Sequence, residues 1–162
     1  MLIGVTGDTH NNLKNISKIC QIFNKMNLSL IIHTGDITLP KSLKAFSNLK
    51  APLIGVFGNN DELEKKGLIS ESKKFDSKLF EEPYLLKVND KKIFILHHPE
   101  LINEEMSIEA DFIVHGHTHR FRSELINNSL VFNPGECAGF LEGKNKIGII
   151  DLDKKSAKVI SF

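Results

Sequence analysis

Three short apolar runs near the start of the chain each lead into a glycine that is followed by an acidic or amide residue. The runs cover residues 2–6, 28–33 and 52–57, and continuous apolar character is typical of strands buried on both faces. Helices are predicted between them, over residues 12–26 and 40–49, from an Asn that can cap the first and a Pro that can open the second. The residues after the glycines are Asp8, Asp36 and Asn59. Because functional groups gather at the carboxyl ends of strands in open α/β sheets, these three side chains are expected to meet in one crevice.

The second half of the chain has a different pattern. Residues 61–78 are rich in Lys, Glu and Ser and are predicted to form an exposed helix or lobe. Hairpins are predicted after them, with strands over residues 84–88, 92–97, 112–115, 122–126, 130–132, 146–152 and 158–160. Two sheets, one built from β-α units and the other from hairpins, are best packed face to face with helices outside. The expected fold class is therefore α/β, a four-layer α/β/β/α sandwich, in a single domain over residues 1–162.

The composition argues against several classes of partner. The chain carries 21 Lys and Arg against 20 Asp and Glu, so no nucleic-acid or membrane-surface partner is expected. Arg120 and Arg122 are the only arginines, so a cluster of guanidinium groups for phosphate is absent. Cys20 is expected in the core and Cys137 in a more exposed loop, and their wide separation indicates a reducing compartment. With no signal peptide or membrane-spanning run in the sequence, a cytoplasmic location is expected.

Candidate metal ligands follow several of the predicted strands. The segment from Asp8 to His10 places a carboxylate and an imidazole two residues apart, where both can point toward one ion. The segment from Gly116 to His119 is the strongest local signal, because two imidazoles directly after an apolar strand are costly to cluster unless a metal or hydrogen bonds satisfy them. The full set of candidates is Asp8, His10, Asp36, Asn59, His97, His117 and His119.

Each of these elements also has an ordinary structural explanation. Asp8 can cap a helix beside a surface histidine, Asp36 can be a turn residue, and residues 58–61 can be a turn. Five successive element ends nevertheless carry such residues in the order that one shared site requires. This order favours a metal site over separate local roles.

The neighbouring polar residues are assigned supporting roles. Asn60 and Asp61 are expected to hydrogen-bond the site or its substrate. His33 and His115 are expected to be core or supporting histidines with their hydrogen bonds satisfied, and His98 is expected to turn away from the site.

The motifs Asp-x-His, Gly-Asp, Gly-Asn-Asn-Asp, the strand-end His and Gly-His-Thr-His resemble the signature of calcineurin-like metallophosphoesterases along essentially the whole chain. The small size and the Asn133-Pro134-Gly135-Glu136-Cys137 loop resemble the YfcE-type branch of small phosphodiesterases. The resemblance implies the metallophosphatase fold, which is the same four-layer sandwich. It also implies two metal ions, one held by Asp8, His10, Asp36 and His119 and the other by Asp36, Asn59, His97 and His117.

The sequence departs from the family pattern at two positions. Asn60 stands where many members have a histidine that is thought to protonate the leaving group, and an amide cannot act as a general acid. Phosphodiesters with good leaving groups are therefore the expected substrates, with Asp36, Asn60 and Asp61 as the catalytic residues. Gly7 stands where Ser is frequent, and this departure is expected to be harmless.

The expected chemistry is attack on phosphorus by a hydroxide that bridges two divalent ions. The nitrogen and oxygen donors include no thiolate, so Mn is the first expectation and Ni, Fe, Co or Zn are compatible. The alternatives are a catalytically silent protein-interaction scaffold of the same fold, a nuclease, which the balanced charge disfavours, and a phosphomonoesterase. The expected partner is a small phosphodiester, with a homodimer as a further possibility.

Overall fold

The computed structural model describes residues 1–162 and contains eleven strands. In chain order they are β1 Leu2–Thr6, β2 Leu30–His33, β3 Leu53–Val56, β4 Ser77–Phe80, β5 Tyr84–Val88, β6 Lys91–Ile95, β7 Phe112–Val114, β8 Arg122–Ile126, β9 Ser129–Asn133, β10 Lys146–Asp151 and β11 Ser156–Ser161. A six-stranded sheet has the order β11-β10-β1-β2-β3-β4, and a five-stranded sheet has the order β5-β6-β7-β9-β8. Strands β1 to β4 run parallel, as do β6, β7 and β9, so the carboxyl ends of each group lie at one edge of its sheet.

Four α-helices connect the strands: α1 Leu13–Phe23, α2 Pro40–Ala45, α3 Lys65–Ser72 and α4 Glu104–Glu109. Short 3-10 helices cover Phe46–Asn48, Asn59–Glu64 and Pro99–Leu101. The side chain of Asn12 accepts a hydrogen bond from the backbone of Asn15 and so caps α1, as predicted. Pro40 opens α2, where its missing N–H costs nothing.

Three buried clusters hold the layers together. Between the two sheets, Ile3 and Val5 of β1 share a cluster with Phe112 of β7 and Phe132 of β9. This cluster is the central core, and its residues come from the inward face of each sheet. Burying aliphatic and aromatic side chains between two sheets contributes roughly 1.5–3 kcal/mol for each large side chain, so it is a main source of stability.

The outer face of each sheet is covered by helices. Ile16 and Phe23 of α1 share a cluster with Ile31 of β2 on one side of the molecule. On the other side, Met106 of α4 packs against a cluster that contains Ile113 of β7. The order of layers is therefore helix, sheet, sheet, helix, and the expected four-layer sandwich is confirmed.

Two parts of the predicted topology are wrong. Strand β4 and helix α4 were absent from the prediction, because β4 is a short edge strand in a charged stretch and α4 has only six residues. The closing hairpin of β10 and β11 belongs to the parallel sheet rather than to the hairpin-rich one, since β10 pairs antiparallel with β1. An apolar hairpin strand can complete the open side of β1 as well as extend the other sheet, and its local pattern does not distinguish them.

Both cysteines are free and buried. Cys20 packs in the core as expected, but Cys137 is fully buried rather than exposed. Burial raises the pKa of the Cys137 thiol to about 12, so it is unreactive at neutral pH. None of the helices has the length and apolar character that crossing a membrane requires. The cytoplasmic location and the single-domain assignment stay predictions.

Gly148 in β10 faces the ring of Phe132 in the opposite sheet, and a Cβ at this position would lie 2.7 Å from Phe132 Cζ. We predict that Gly148→Ala lowers the free energy of unfolding by about 1–3 kcal/mol, because the two sheets must separate to admit a methyl group. Denaturant unfolding measures this loss, and adding Phe132→Leu should recover part of it. The control is Ser161→Ala, at an exposed position of β11. Unchanged stability in Gly148→Ala would contradict this account of the interface.

Candidate metal centre

The seven candidate ligands come together at the carboxyl ends of strands from both sheets. Asp8 and His10 follow β1, Asp36 follows β2 and Asn59 follows β3. The other sheet supplies His97 after β6, and His117 and His119 after β7. The two sheets therefore contribute to a single site between their adjoining edges.

The first cluster contains Asp8, His10, Asp36 and His119. The Nε2 atoms of His10 and His119 are 3.4 Å apart. His119 Nε2 lies 3.7 Å from Asp8 Oδ1, and His10 Nε2 lies 3.9 Å from Asp36 Oδ2. Four side chains from three segments thus direct nitrogen and oxygen atoms at one small volume.

The second cluster contains Asp36, Asn59, His97 and His117. His97 Nε2 lies 2.9 Å from Asn59 Oδ1 and 3.1 Å from His117 Nδ1. The same nitrogen lies 3.5 Å from Asp36 Oδ2. Asp36 Oδ2 is therefore close to both clusters.

The hydrogen bonding of His97 shows that the second cluster fits a cation. Its Nδ1–H donates to the Thr34 carbonyl at 2.9 Å, and burial lowers the pKa of His97, so the ring is neutral and Nε2 carries no proton. Nε2 nevertheless faces the amide oxygen of Asn59 and a carboxylate oxygen of Asp36, which are also acceptors. Converging nitrogen and oxygen lone pairs of this kind are what a divalent transition-metal ion satisfies.

A carboxylate that sequence reasoning missed orients His119. Glu136 Oε2 accepts a hydrogen bond from His119 Nδ1–H at 2.5 Å, which leaves Nε2 free to face the first cluster. Glu136 is buried and lies in the loop after β9, seventeen residues along the chain from His119. The only sequence signal was its place in the Asn-Pro-Gly-Glu-Cys motif, which assigns no role to it.

Asp61 and Asn60 both act on Asp36. The Asp61 carboxylate accepts backbone hydrogen bonds from Asp36 at 2.9 Å, Thr38 at 2.6 Å and Gly58 at 2.7 Å. Asn60 donates its backbone N–H to Asp36 Oδ1 at 2.9 Å and its side-chain amide to Asp36 Oδ2 at 2.7 Å. Asp61 thus fixes the backbone of Asp36, and Asn60 fixes its carboxylate.

The backbone of the site is strained. Nine residues other than glycine have positive φ, and five of them are candidate ligands: Asp8 at 49°, His10 at 45°, Asp36 at 58°, His117 at 67° and His119 at 53°. A left-handed conformation at such a residue costs on the order of 1–3 kcal/mol and persists only where its surroundings impose it. Because most of these strained residues lie at one site, the strained backbone conformations are what direct the candidate ligands toward one another.

Glycines lie directly against the ligands. A Cβ at Gly116 would lie 2.6 Å from Asp8 Oδ2, and a Cβ at Gly58 would overlap the carboxylate of Asp36. Gly7 is equally constrained, because a Cβ there would overlap Thr34 Oγ1. The departure from the family's frequent serine is thus accommodated in this chain, because Thr34 fills the space that a side chain at position 7 would need.

The three histidines outside the candidate set differ in their surroundings. His33 is fully buried and hydrogen-bonds Thr9 Oγ1 at 2.9 Å, as expected of a supporting residue. His115 is also buried, but its Nε2 has no hydrogen-bond partner, so the expectation that its bonds are satisfied is only half right.

The expectation that His98 turns away from the site is wrong. Its ring centroid lies 4.6 Å from that of His117, and His97, His98 and His117 form a group that could hold a metal ion. His98 Nδ1–H donates to Glu82 Oε1 at 2.5 Å. Glu82 lies between β4 and β5, and its other oxygen accepts the backbone N–H groups of His97 and His98, which fixes this corner of the site.

The chain belongs to the calcineurin-like phosphoesterase superfamily. A family model described as the calcineurin-like phosphoesterase superfamily domain matches residues 1–155. Phosphodiesterase MJ0936 of Methanocaldococcus jannaschii is 38% identical over 164 residues, which cover 99% of this chain and 98% of that protein. The resemblance seen in the sequence motifs is confirmed, and by family the protein is a metal-dependent phosphoesterase.

Solved structures agree with this assignment. The structure described as a novel archaeal phosphodiesterase matches over the whole length of both chains, with a TM-score of 0.85 and 36% identity. The structure of YfcE, a phosphoesterase from E. coli, matches over 99% of each chain with a TM-score of 0.74 and 19% identity. The second likeness establishes the fold alone, and both confirm the metallophosphoesterase architecture.

Burial of Asp8 makes the stability of the metal-free protein depend on pH. Burial raises the pKa of Asp8 from 3.8 to about 7, although His119 partly opposes the shift. The folded state then holds a proton that the unfolded chain releases, so the contribution of Asp8 to stability is present at low pH and is lost as pH rises from about 4 to about 7.

We predict that, in chelator, the difference in unfolding free energy between the wild-type protein and Asp8→Asn shrinks by up to about 4 kcal/mol across this range. Thermal or denaturant unfolding at stepped pH measures it, and the effects of groups that do not interact with Asp8 cancel in the difference. Added divalent ions should abolish the trend, because they stabilise the ionised carboxylate. A difference that stays constant from pH 4 to 7 would contradict the proposed protonation of Asp8.

Proposed function

We propose that the protein is a phosphodiesterase that uses two divalent metal ions to hydrolyse small phosphodiesters. The observation that carries the proposal is the position of Asp36, whose Oδ2 lies 3.9 Å from His10 Nε2 and 3.5 Å from His97 Nε2 and so belongs to both clusters. A carboxylate shared in this way is the usual bridge of a two-metal site. The 38% identity to a protein named a phosphodiesterase supports the same activity.

Each cluster would hold one ion, with Asp36 between them. Asp8, His10 and His119 would complete one site, and Asn59, His97 and His117 would complete the other. Bound there, the ions would supply a water of lowered pKa as the nucleophile and would neutralise charge on the phosphate oxygens. Manganese is the first candidate, and nickel, iron, cobalt and zinc also suit nitrogen and oxygen donors without thiolate.

The surroundings of the clusters support this chemistry. Asp8, Asp36 and His97 are buried, whereas Asn59 and His117 are exposed, so the site is rigid behind and open to a substrate in front. The chain offers no cluster of arginines for phosphate: Arg120 and Arg122 are its only arginines, and Arg122 Nε donates to Glu124 Oε1, 2.5 Å away. The metals would therefore supply much of the positive charge that a phosphate ester needs.

The residues beside Asp36 would act by positioning. Asp61 would hold the backbone, and Asn60 would hold the carboxylate so that Oδ2 stays between the two clusters. Both would thus support catalysis through Asp36. We also propose a cytoplasmic location, which the two free thiols support.

We predict that hydrolysis of bis(4-nitrophenyl) phosphate depends on added divalent metal and that the loaded protein holds two ions per chain. Asp36→Ala should reduce turnover by more than about 100-fold and lower the metal content, because the carboxylate shared by the two clusters is lost. Assays across Mn, Ni, Co, Fe and Zn, joined to elemental analysis, measure both effects. Asp76→Ala is the control, since Asp76 is an exposed aspartate outside the site. Fewer than two ions at saturation, with no turnover in any metal, would refute the proposal.

We predict that Asn60→His extends activity toward diesters with poor leaving groups. An imidazole at this position can donate a proton to the departing alkoxide, which typically contributes 10²–10⁴-fold, whereas an amide cannot. Rates for a series of aryl and alkyl diesters, plotted against leaving-group pKa, should show a shallower dependence in the variant. Asn60→Ala serves as the comparison, because it also removes the hydrogen bond to Asp36 but adds no acid. The same slope in wild type and Asn60→His would count against this role for position 60.

A further inference from the structure

A large aromatic side chain lies exposed beside the first cluster. Phe140, in the loop between β9 and β10, exposes 68% of its surface. Its ring stacks on His119, with centroids 5.4 Å apart and 17° between the planes, and lies 5.2 Å from the ring of His10. An apolar ring that covers two metal-ligand histidines on one side and faces solvent on the other is in a position to contact whatever binds at the centre.

A shallow cleft, open to solvent, lies between this ring and the start of α1. It has a volume of about 580 Å³ and is lined by His10, Asn11, Asn12, Leu13, Ala138 and Phe140. No other cleft of the molecule includes a candidate ligand. A group held in this cleft would therefore be adjacent to a phosphate at the metal centre.

The lining selects a neutral planar group. Leu13, with 43% of its surface exposed, and Phe140 supply apolar faces, and no Lys, Arg, Asp or Glu lines the cleft. A second phosphate or an ammonium group would find no counter-charge there. Asn11 Oδ1 accepts hydrogen bonds from Thr38 and Ser42, while its amide nitrogen bonds no protein atom and remains a donor for the edge of a ring.

The position of Phe140 is fixed by the metal centre itself. Its backbone N–H donates to Glu136 Oε1 at 2.9 Å, and the other oxygen of Glu136 accepts from His119. The preceding Gly139, at φ 84°, lies so close to Asn12 that a Cβ would be 2.6 Å from Asn12 Nδ2. The asparagine in turn donates to the carbonyl of Ala138 at 2.7 Å, so one wall of the cleft is held against the other.

We propose that this cleft is a specificity subsite that binds an aromatic ring of the phosphodiester, either an aryl group or a nucleobase, stacked on Phe140. The inference rests on the proposed function, because it places the phosphate of the same molecule at the metal centre. Phe140 is then the residue that makes an aromatic ester bind more tightly than an alkyl ester. Stacking of this kind does not depend on the identity of the ring, so both sources of an aromatic group share the same chemistry.

Binding of phosphonates to the metal-loaded protein tests the subsite without turnover, because their C–P bond is not hydrolysed. Phenylphosphonate should bind more tightly than methylphosphonate, and Phe140→Ala should reduce this ratio by about threefold to tenfold. The control is Phe121→Ala, since Phe121 is comparably exposed and lies outside the cleft. The methylenephosphonate analogues of adenosine 5′-phosphate and ribose 5-phosphate form a second pair, which tells a nucleobase preference from an aryl preference.

A fluorescent variant provides an independent readout. The chain has no tryptophan, so Phe140→Trp introduces a single indole that keeps an aromatic face in the cleft. Its emission should change with phenylphosphonate and stay constant with methylphosphonate, and elemental analysis of each variant reports metal content separately. If Phe140→Ala still binds phenylphosphonate more tightly than methylphosphonate by the same ratio, or if both phosphonates change the emission equally, the proposed subsite is refuted. If methylphosphonate does not bind and no diester is hydrolysed, the proposed function itself fails.

Discussion

The carboxylate of Asp36 is the point on which the rest of the site depends. Asp36 follows β2, in the middle of the six-stranded sheet. Its Oδ2 lies near the imidazole of His10, which follows a strand of the same sheet, and near that of His97, which follows a strand of the other sheet. A group in this position must neither rotate nor drift, since a shift of 1 Å would remove it from one cluster or the other. Asp61 prevents this by binding the backbone of Asp36, and Asn60 by binding its carboxylate. Because the two residues are adjacent in sequence, a single turn of the chain positions both.

The site destabilises the metal-free protein, and other parts of the fold offset this loss of stability. Acceptor atoms of His97, Asn59 and Asp36 lie close together, several ligands have left-handed backbone conformations, and Asp8 is buried in a setting that disfavours its charge. None of these features stabilises the metal-free protein. The core between the sheets, with Ile3, Val5, Phe112 and Phe132 among its members, supplies the stability that makes them tolerable.

The sequence was sufficient to predict features that depend on local pattern. Apolar runs ended by glycine located the strand ends, and strand ends located the ligands, because parallel strands present their carboxyl ends at one edge. Features that depend on contacts between distant parts of the chain could not be predicted from the sequence. Glu136 reaches His119 from a loop beyond another hairpin, and Glu82 fixes His98 from the connection between the two sheets. The pairing of the closing hairpin with β1 likewise depends on packing, and the residues of the hairpin alone do not predict it.

The contact between Gly7 and Thr34 has a consequence for how such a sequence can change. The two residues follow neighbouring strands and compete for one space, since a Cβ at position 7 would overlap the Thr34 hydroxyl. A side chain at position 7 therefore requires the Thr34 side chain to move or to be shorter. Thr34 also contributes the carbonyl that holds the tautomer of His97, so a displacement of its backbone would alter a candidate metal ligand. The effect of a substitution at position 7 thus depends on which side chain stands at position 34, and the two positions are coupled through the metal centre.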